Sequence, residues 1–401
     1  MTKIISVNAG SSSLKFQLFE MPEEKVLTSG MVDRIGFNDG IFTIKVNGKK
    51  FEQILPIEDH SVAVQLLLKA LIEHGVVANL NEIKGAGHRV VHGGEYFSGS
   101  AIVDAEVEGH VEELSELAPL HNPAALVGYR AFKKELPSCK HIMAFDTAFH
   151  QTLGPESYMY PLPMEYYTEY KIRKYGFHGT SHQYVCNRYA EIVGKNIKDL
   201  NIISCHLGNG ASVTAVKGGV SINTSMGFTP LGGIMMGTRC GDIDPAIIPY
   251  LMKKTGMTPS DIDYALNKKS GMLGISGISS DGRDIEDGCS ANDPKCLLTH
   301  EIYINRLTNT IGGYIVQMGS VDAILFTGGI GENDCNLRGK VCRKMEEALG
   351  VHIDYKLNSD ARGYELRLST PESKIDVWML PTNEELVISR DAYRLLRFDN
   401  E

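Results

Sequence analysis

The sequence predicts an α/β protein of two lobes with a cleft between them. Three observations lead to this fold class. The chain has 401 residues, which is enough for two domains. Strands and helices follow one another in the same order in its two halves. A short motif of the first half, Ile4-Ile5-Ser6 followed by Gly10, also recurs in the second half as Ile202-Ile203-Ser204 followed by Gly208. A duplicated unit accounts for this repeat.

Composition and charge narrow the class of protein. A hydrophobic content of 43% excludes wholesale disorder, and a net charge of −9 argues against nucleic acid or an anionic membrane as a partner. No apolar run approaches the ~20 residues of a membrane span, and the apolar start of the chain is too short for a signal peptide. The eight cysteines show no C-x-x-C spacing, so we expect thiols in a reduced compartment. These features predict a cytoplasmic protein.

The first half is predicted to begin with strands at Lys3–Val7 and Leu14–Phe19, joined by a turn of glycine and serine. Asn47-Gly48 is a strong hairpin signal between two later strands. A helix over Ser61–His74 is closed by Gly75. The remaining predicted elements are strands at Val26–Val32, Ile41–Val46, Phe51–Ile57, Ala86–Val91 and His141–Phe145, and a helix that Asn122-Pro123 opens and that ends near Leu136.

The second half repeats this order. Strands at Ile202–His206 and Ala211–Val216 again flank a glycine turn, and the strand Ala323–Phe326 runs into a third glycine-rich turn. Two capping boxes, Thr180 with Gln183 and Thr382 with Glu385, predict helix starts. The other predicted elements are a helix capped by Asp244-Pro245, a long helix over Thr299–Met318, a helix ending at Leu349 and a strand at Ile375–Leu380.

Three glycine-rich turns suggest what the protein binds. They are Gly10–Ser13, Gly208–Gly210 and Gly328–Gly331. Turns of this kind expose backbone N–H groups that suit phosphate oxygens. Any one of them alone is explained as a plain hairpin, and none fits the Walker or the dinucleotide pattern. Three in a duplicated frame favour a nucleotide held between the lobes.

An acidic protein that binds a polyphosphate needs local positive charge. The candidates are Lys15, Arg89, Arg239 and His178. Both arginines stand near glycines, and Arg89 ends a strand; a guanidinium supplies a fixed fork of donors for carboxylate and phosphoryl oxygens. His182 lies within the predicted capping box and is expected to be structural.

Two carboxylates stand out from the solvated majority. Asp146 ends an apolar strand, where the sites of α/β proteins gather. The capping box at Thr382 assigns Glu385 to the backbone and leaves Glu384 pointing elsewhere. Asp146 and Glu384 are therefore the candidate acidic groups.

At these residues the sequence resembles the acetokinase family, which belongs to the superfamily of actin, hexokinase-like sugar kinases and heat-shock chaperone ATPases. The resemblance covers essentially the whole chain. It rests on five motifs: Asn8-Ala-Gly-Ser-Ser-Ser-Leu-Lys15, His88-Arg-Val-Val-His-Gly-Gly94, Gly176-Phe-His-Gly-Thr-Ser-His182, His206-Leu-Gly-Asn-Gly210 and Phe326-Thr-Gly-Gly-Ile-Gly-Glu-Asn333.

The resemblance implies two actin- or ribonuclease-H-like lobes with mixed sheets and a nucleotide cleft between them. Residues 1–149 would form the first lobe, completed by a C-terminal helix over 383–401, and residues 150–382 would form the nucleotide-binding lobe. The implied reaction is reversible phosphoryl transfer from ATP to acetate, with Mg²⁺ or Mn²⁺, in a homodimer.

The family's functional residues carry over motif by motif. The implied catalytic residues are Asp146, His178, Arg239 and Arg89. Arg89, Val91, Leu120, His121, Phe177 and Pro230 would bind the acid, and Asn8 and Glu384 would serve the metal. The implied ATP contacts are Ser11, Ser13, Lys15, His206, Leu207, Gly208, Asn209, Gly210, Asp281, Gly282, Arg283, Gly329, Ile330, Gly331, Glu332 and Asn333.

Two alternatives remain at this stage. Propionate and butyrate kinases differ from acetate kinases only in pocket size. Actin-like filament formers and chaperone ATPases share the fold but use water as the nucleophile, so they have no use for Arg89, Arg239 and His178 around a small acid. The sequence therefore favours an enzyme.

Overall fold

The computed structural model describes residues 1–398 and divides into two units. Unit 1 comprises Met1–Gln151 together with the chain from Asn383 on, and unit 2 comprises Thr152–Thr382. The last three residues of the predicted C-terminal segment 383–401 lie outside the described part of the chain. Within the described part, no helix is both long and apolar enough to cross a membrane.

Unit 1 is built on a mixed sheet of eight strands. In chain order these are β1 (Thr2–Ala9), β2 (Ser13–Met21), β3 (Lys25–Asp33), β4 (Phe37–Val46), β5 (Lys49–Ile57), β6 (Ile83–Val90), β7 (Ala101–Ile102) and β8 (Lys140–Phe145). Across the sheet the order is β5-β4-β3-β2-β1-β6-β8-β7. β1 to β5 are antiparallel neighbours, whereas β6 and β8 run parallel to β1. Asn47 and Gly48 both have positive φ (50° and 76°), which confirms the predicted hairpin between β4 and β5.

Three helices of the first segment complete the core of unit 1. They are α1 (His60–Glu73), α2 (Ala105–Glu113) and α3 (Asn122–Glu135). One hydrophobic core joins α1 and the end of α3 to β1–β4, with Leu67 and Phe132 fully buried. A second core joins α2 and α3 to the ends of β6 and β8 through Tyr129 and Phe145. These cores hold rigid the strand ends that carry the candidate residues.

Unit 2 is built on a mixed sheet of six strands. These are β9 (Asn201–Leu207), β10 (Ala211–Lys217), β11 (Val220–Thr224), β12 (Ala323–Thr327), β13 (Leu366–Arg367) and β14 (Asp376–Met379), in the order β11-β10-β9-β12-β14-β13. Three antiparallel strands are followed by two parallel ones, as in β3-β2-β1-β6-β8 of unit 1. The repeated Ile-Ile-Ser motif occupies the central strand, β1 or β9, of each sheet. The predicted α/β class with two mixed sheets and a duplicated order is confirmed.

Eleven of the described helices belong to unit 2. They are α4 (Pro155–Tyr158), α5 (Met164–Tyr170), α6 (Gly179–Val193), α7 (Ile247–Thr255), α8 (Pro259–Lys268), α9 (Gly271–Ser276), α10 (Gly282–Ser290), α11 (Pro294–Met318), α12 (Gly328–Asn333), α13 (Cys335–Leu349) and α14 (Tyr355–Asp360). The chain then returns to unit 1, where the last helix, α15 (Glu384–Leu395), packs on β1, β2, β6 and β8.

Three predicted helix starts in unit 2 are wrong. The long helix predicted over Thr299–Met318 begins at Pro294, because Asp293 caps it. Thr180 does not cap α6: the helix begins at Gly179 directly after His178, and the Thr180 side chain is buried inside the first turn. Asp244 bonds the N–H of Ala246 in a turn, and α7 begins only at Ile247. At Asp244 this local side-chain bond competes with the predicted cap.

Candidate active site

The turn between β1 and β2 presents the first glycine-rich segment. The N–H of Gly10 donates to the carbonyl oxygen of Ser13 at 2.8 Å, which closes the turn and leaves Ser11 exposed at its tip. Asn8 and Lys15 lie directly opposite each other across the same strand pair. The predicted ATP contacts of unit 1 and the predicted metal ligand Asn8 therefore share one end of this hairpin.

Arg89 in β6 and Asp146 after β8 form a bidentate ion pair. Nε of Arg89 donates to Oδ1 of Asp146 at 2.9 Å, and Nη2 donates to Oδ2 at 2.5 Å. Burial lowers the pKa of Arg89, but the carboxylates of Asp146, Glu384 and Glu385 raise this pKa by more, so the guanidinium stays charged. Burial raises the pKa of Asp146, the Glu384 carboxylate adds to this rise, and Arg89 opposes it. Arg89, Asp146 and Glu384 are thus brought within electrostatic reach of one another.

The capping box predicted at Thr382 is wrong. The side chain of Asn383 accepts the N–H of Leu386 at 3.1 Å, so α15 is capped one residue later than predicted. Asn383 is itself a strong capping residue, whereas the Thr382 hydroxyl is buried without a described partner. Glu385 is consequently not a capping residue. Burial and the neighbouring Glu384 carboxylate raise the pKa of Glu385.

The predicted acid-binding residues of unit 1 follow β6 and precede α3. Asn122, predicted to cap α3, lies one residue inside the helix because its side chain bonds the backbone of His92. Its Oδ1 accepts from the His92 N–H at 3.1 Å, and its Nδ2 donates to the His92 carbonyl oxygen at 3.0 Å. These two hydrogen bonds of the Asn122 amide connect the start of α3 to the segment that carries Val91. Val91 is half-buried, whereas Leu120 is 66% exposed, and His121 is exposed as well.

His178 stands directly before α6 with a left-handed backbone (φ 57°). Its Nδ1 lies 2.9 Å from Oγ of Ser212, and its ring stacks on that of His206 with 4.2 Å between centroids. The fully buried His182 bonds Ser204 through Nδ1 and Ser212 through Nε2, both at 2.8 Å. His182 thus has the structural role that the sequence suggested, because it fixes the serine that holds His178.

Arg239 is a half-buried cation that forms no ion pair with residues 1–398. Its Nη1 donates to the carbonyl oxygen of Pro230 at 3.1 Å and lies 3.6 Å from Sδ of Met236. Burial lowers the pKa of Arg239. A methyl group added at Gly210 would lie 3.4 Å both from Nη1 of Arg239 and from Nε2 of His178. Guanidinium and imidazole therefore flank the same stretch of backbone, with an uncompensated positive charge between them that an anion would stabilise.

A cavity of about 780 Å³ in unit 2 gathers many of the predicted ATP contacts. This volume is typical of pockets that hold organic ligands. Eight predicted residues line it: Gly208, Asn209, Asp281, Gly282, Arg283, Gly329, Ile330 and Asn333. His206, Leu207, Gly210, Gly331 and Glu332 are not among its lining residues. Four lining residues were not predicted, namely Ser280, Glu286, Asp334 and Arg362.

The third glycine-rich segment is a helix rather than a turn. Gly328 has φ of +77°, and the chain passes from β12 directly into α12. An added methyl group at Gly328 would lie 2.8 Å from the carbonyl oxygen of Leu207, so this close approach requires glycine. Glu332, a predicted ATP contact, instead accepts the N–H of Gly328 at 2.9 Å and that of Thr382 at 3.4 Å. These bonds assign Glu332 to the backbone.

Comparison with known proteins decides the family. The acetokinase family matches residues 3–390. The chain belongs to the acetokinase family. A relative named acetate kinase from Geobacillus sp. (strain WCH70) is 57% identical over 395 residues, 98% of this chain and 99% of its own.

Solved structures agree with this acetokinase assignment. The crystal structure of Porphyromonas gingivalis acetate kinase matches with a TM-score of 0.95 at 42% identity, over 99% of this chain and 100% of that chain. A propionate kinase from Francisella tularensis matches with a TM-score of 0.92 at 38% identity, over 98% and 100%.

The two side chains that the family resemblance implies for the metal carry oxygens of the kind that Mg²⁺ binds. Among the described residues no group of three or more histidine, cysteine, aspartate or glutamate side chains could hold a metal ion. Mg²⁺ keeps several waters and takes one or two side-chain oxygens together with substrate phosphates. The amide oxygen of Asn8 and the carboxylate of Glu384 are such oxygens, and they require no cage made of protein ligands alone.

Proposed function

We propose that this protein transfers the γ-phosphoryl group of ATP reversibly to acetate, giving acetyl phosphate and ADP. The observation that carries the proposal is Arg239, a half-buried cation with no ion pair inside the described chain, placed beside His178 in the unit that holds the cavity. The relatives named acetate kinase support acetate as the acceptor.

Phosphoryl transfer to acetate requires neutralisation of negative charge rather than a general base. Acetate is ionised at neutral pH because carboxylic acids titrate near pH ~4. The barrier therefore comes from repulsion between a carboxylate and a triphosphate, and from the charge of the phosphoryl group in transfer. Arg239 and the N–H donor of His178 would stabilise that charge, and each such group can contribute several kcal/mol.

The residues of unit 1 would serve the acceptor. Arg89 stays charged and would bind the acetate carboxylate. The methyl group of acetate would contact Val91 and Leu120 of unit 1 and Phe177 and Pro230 of unit 2. Asp146 is committed to Arg89 by two hydrogen bonds. We therefore propose that Asp146 orients Arg89 and the water bound to the metal, and that it does not abstract a proton.

Nucleotide and metal complete the assignment. The residues that line the cavity would bind the nucleotide, with Lys15, Ser11 and Ser13 contributing from unit 1. Asn8 and Glu384 would hold Mg²⁺ or Mn²⁺. When bound, the ion supplies positive charge to the phosphate oxygens.

Trapping the product tests the proposal. The protein is incubated with ATP, Mg²⁺ and acetate, and the acyl phosphate is captured with hydroxylamine as a coloured hydroxamate. Acetate should give more product than propionate, and propionate more than butyrate. If propionate is the better acceptor, the protein is a propionate kinase, the function of its structural relative from Francisella tularensis. Phosphate release that does not depend on any acid would identify an ATPase.

We further propose that the protein is a homodimer in the cytoplasm, where ATP is available and where its eight free cysteines stay reduced. Two helices of unit 2, α5 and α7, bury no residue. They nevertheless expose Met164 (57%), Tyr170 (60%) and Tyr250 (60%). Light scattering should give the mass of a dimer. The double variant Tyr170→Glu/Tyr250→Glu should be monomeric, and Tyr364→Glu, at an exposed tyrosine elsewhere in unit 2, should stay dimeric.

A further inference from the structure

A groove on the sheet of unit 1 lies beside the proposed nucleotide contacts and shares only Lys15 with them. Its cavity measures about 360 Å³ and lies on the face of β2–β5. Because side chains alternate along a strand, Lys15 and Gln17 of β2 point to the same face. Ser29, Lys45 and Lys50 extend this polar lining across the next three strands.

The lining forms a straight row across the sheet. Gln17 lies opposite Ser29, Ser29 opposite Lys45, and Lys45 opposite Lys50. Neighbouring strands are about 4.8 Å apart, so the row from β2 to β5 is roughly 14 Å long. The groove is therefore longer than a single phosphate group and accommodates a chain of several.

The charges of the row are not balanced within the protein. Like charges directly opposite each other destabilise a strand pair, and Lys45 faces Lys50. Nζ of Lys50 is neutralised by Glu52 at 2.6 Å. Lys45 and Lys15 form no ion pair with any of residues 1–398. Counting Glu385 at the end near Lys15, the groove carries three positive and two negative charges.

A second observation concerns the side-chain amide of Gln17. Oε1 of Gln17 is buried and has no hydrogen-bond partner among the described residues, although Gln17 lines the groove. A buried acceptor without a hydrogen bond is destabilising. A water molecule that bridges Gln17 and a phosphate oxygen would donate to this acceptor.

We propose that this groove is a binding site for a linear phosphate polyanion, either a free polyphosphate chain or the triphosphate of a second nucleotide. Lys45 and Lys50 bind its outer phosphates, and Lys15 binds the end next to α15. Lys15 also belongs to the nucleotide contacts of the proposed function. On that function, an occupied groove competes with ATP for Lys15 and inhibits phosphoryl transfer.

Calorimetric titration with inorganic tripolyphosphate tests the site directly. The double variant Lys45→Ala/Lys50→Ala should bind tripolyphosphate at least tenfold more weakly than the wild type. Gln17→Leu, which leaves every charge in place, should weaken binding severalfold. Lys49→Ala is the matched control, because Lys49 is exposed on the same strand but alternates to the other face; it should bind as the wild type does. Equal affinity of the wild type and the double variant would overturn the proposal, and so would equal weakening by Lys49→Ala.

Kinetics separate the two sources of the polyanion and the two proposals. Without polyanion, the double variant should keep the wild-type kcat and KM for ATP. Tripolyphosphate should inhibit the wild type at a concentration at least tenfold lower than the double variant. Inhibition by excess ATP that disappears in the double variant identifies the nucleotide as a ligand, and its absence identifies the free chain. If no acyl phosphate forms at all, the proposed function fails, while the calorimetric result still decides the site.

Discussion

Replacing Arg239 by alanine should abolish most of the activity without unfolding the protein. In phosphoryl transfer, an arginine that reaches the transferred group is worth 10³–10⁵ in rate. The His178 imidazole lies beside the Arg239 guanidinium. In the variant, His178 therefore still provides part of the stabilisation of the transition state. We therefore expect kcat to fall by roughly 10²–10⁵, or about 3–7 kcal/mol in the barrier, with a smaller change in KM for ATP.

The effect on stability follows from the contacts of the guanidinium. The variant loses a charged hydrogen bond to the carbonyl oxygen of Pro230, worth about 1.5–3 kcal/mol. It also removes a half-buried charge without a counter-ion, which relieves the cost of desolvating that charge. The two contributions oppose each other, so the melting temperature should change by only a few degrees.

The assay measures hydroxamate formation and thermal unfolding on the same samples. Arg306→Ala is the matched control, because Arg306 also donates to a carbonyl oxygen, that of Asp242 at 2.8 Å, but at an exposed position. It should keep the wild-type kcat. Arg239→Lys keeps the charge without the planar fork and should lie between wild type and alanine. A kcat for Arg239→Ala within tenfold of the wild type would remove Arg239 from the mechanism.

Three further predictions address the metal, the pH dependence and the acid. Glu384→Ala should abolish acyl phosphate formation or raise the magnesium requirement greatly. Asn383→Ala should remove the cap of α15, lower the free energy of unfolding in urea by about 1 kcal/mol and keep most of the activity. Equal loss of activity in both variants would contradict the separate roles of the two residues. Burial lowers the pKa of His88 well below its ordinary value and lowers the pKa of His141 to about 4. Below pH 6.5 these two histidines therefore bind protons in the unfolded chain but stay neutral in the folded protein. Urea titrations should therefore show the free energy of unfolding falling as pH drops from 6.5 towards 4, by up to about 1.4 kcal/mol per pH unit for each ring. The slope should be shallower in His88→Phe; an unchanged slope would show that His88 does not cause this pH dependence. Val91→Ala should shift kcat/KM from acetate towards propionate by roughly 10-fold or more, and an unchanged ratio would show that Val91 does not line the acid pocket.

The fold was predictable because its signals are local and repeated. The Ile-Ile-Ser motif marks the central strand of both sheets, and Asn47-Gly48 has the positive φ angles of its hairpin type. Each signal depends on a strand and the turn next to it. No distant contact was needed to read them.

The helix starts failed where a side chain had more than one available partner. Asn122 bonds the backbone of His92 rather than its own helix, and Asn383 displaces Thr382 as the cap of α15. Such choices depend on which backbone groups tertiary packing brings near. The pattern Ser/Thr-x-x-Glu does not contain that information.

The candidate site divides in the same way. Arg89 and Asp146 were recognisable as charged groups at the ends of neighbouring strands, and they meet in one ion pair. Arg362 lies after α14, outside any glycine motif. It lines the cavity of unit 2, and its Nη1 donates to the carbonyl oxygens of Ser359 and Ala361. Its Nη2 also donates to Sγ of Cys335. A residue held by backbone carbonyls leaves no pattern in the sequence.

The central claim is that the phosphoryl group of ATP goes to acetate and not to water. Phosphorus NMR of the protein with ATP, Mg²⁺ and acetate follows every phosphorus atom during the reaction. The account predicts a signal of acetyl phosphate that grows in equal amount with ADP, requires acetate, and declines with regeneration of ATP when ADP is added in excess. Inorganic phosphate that appears at the same rate with and without acetate would contradict it.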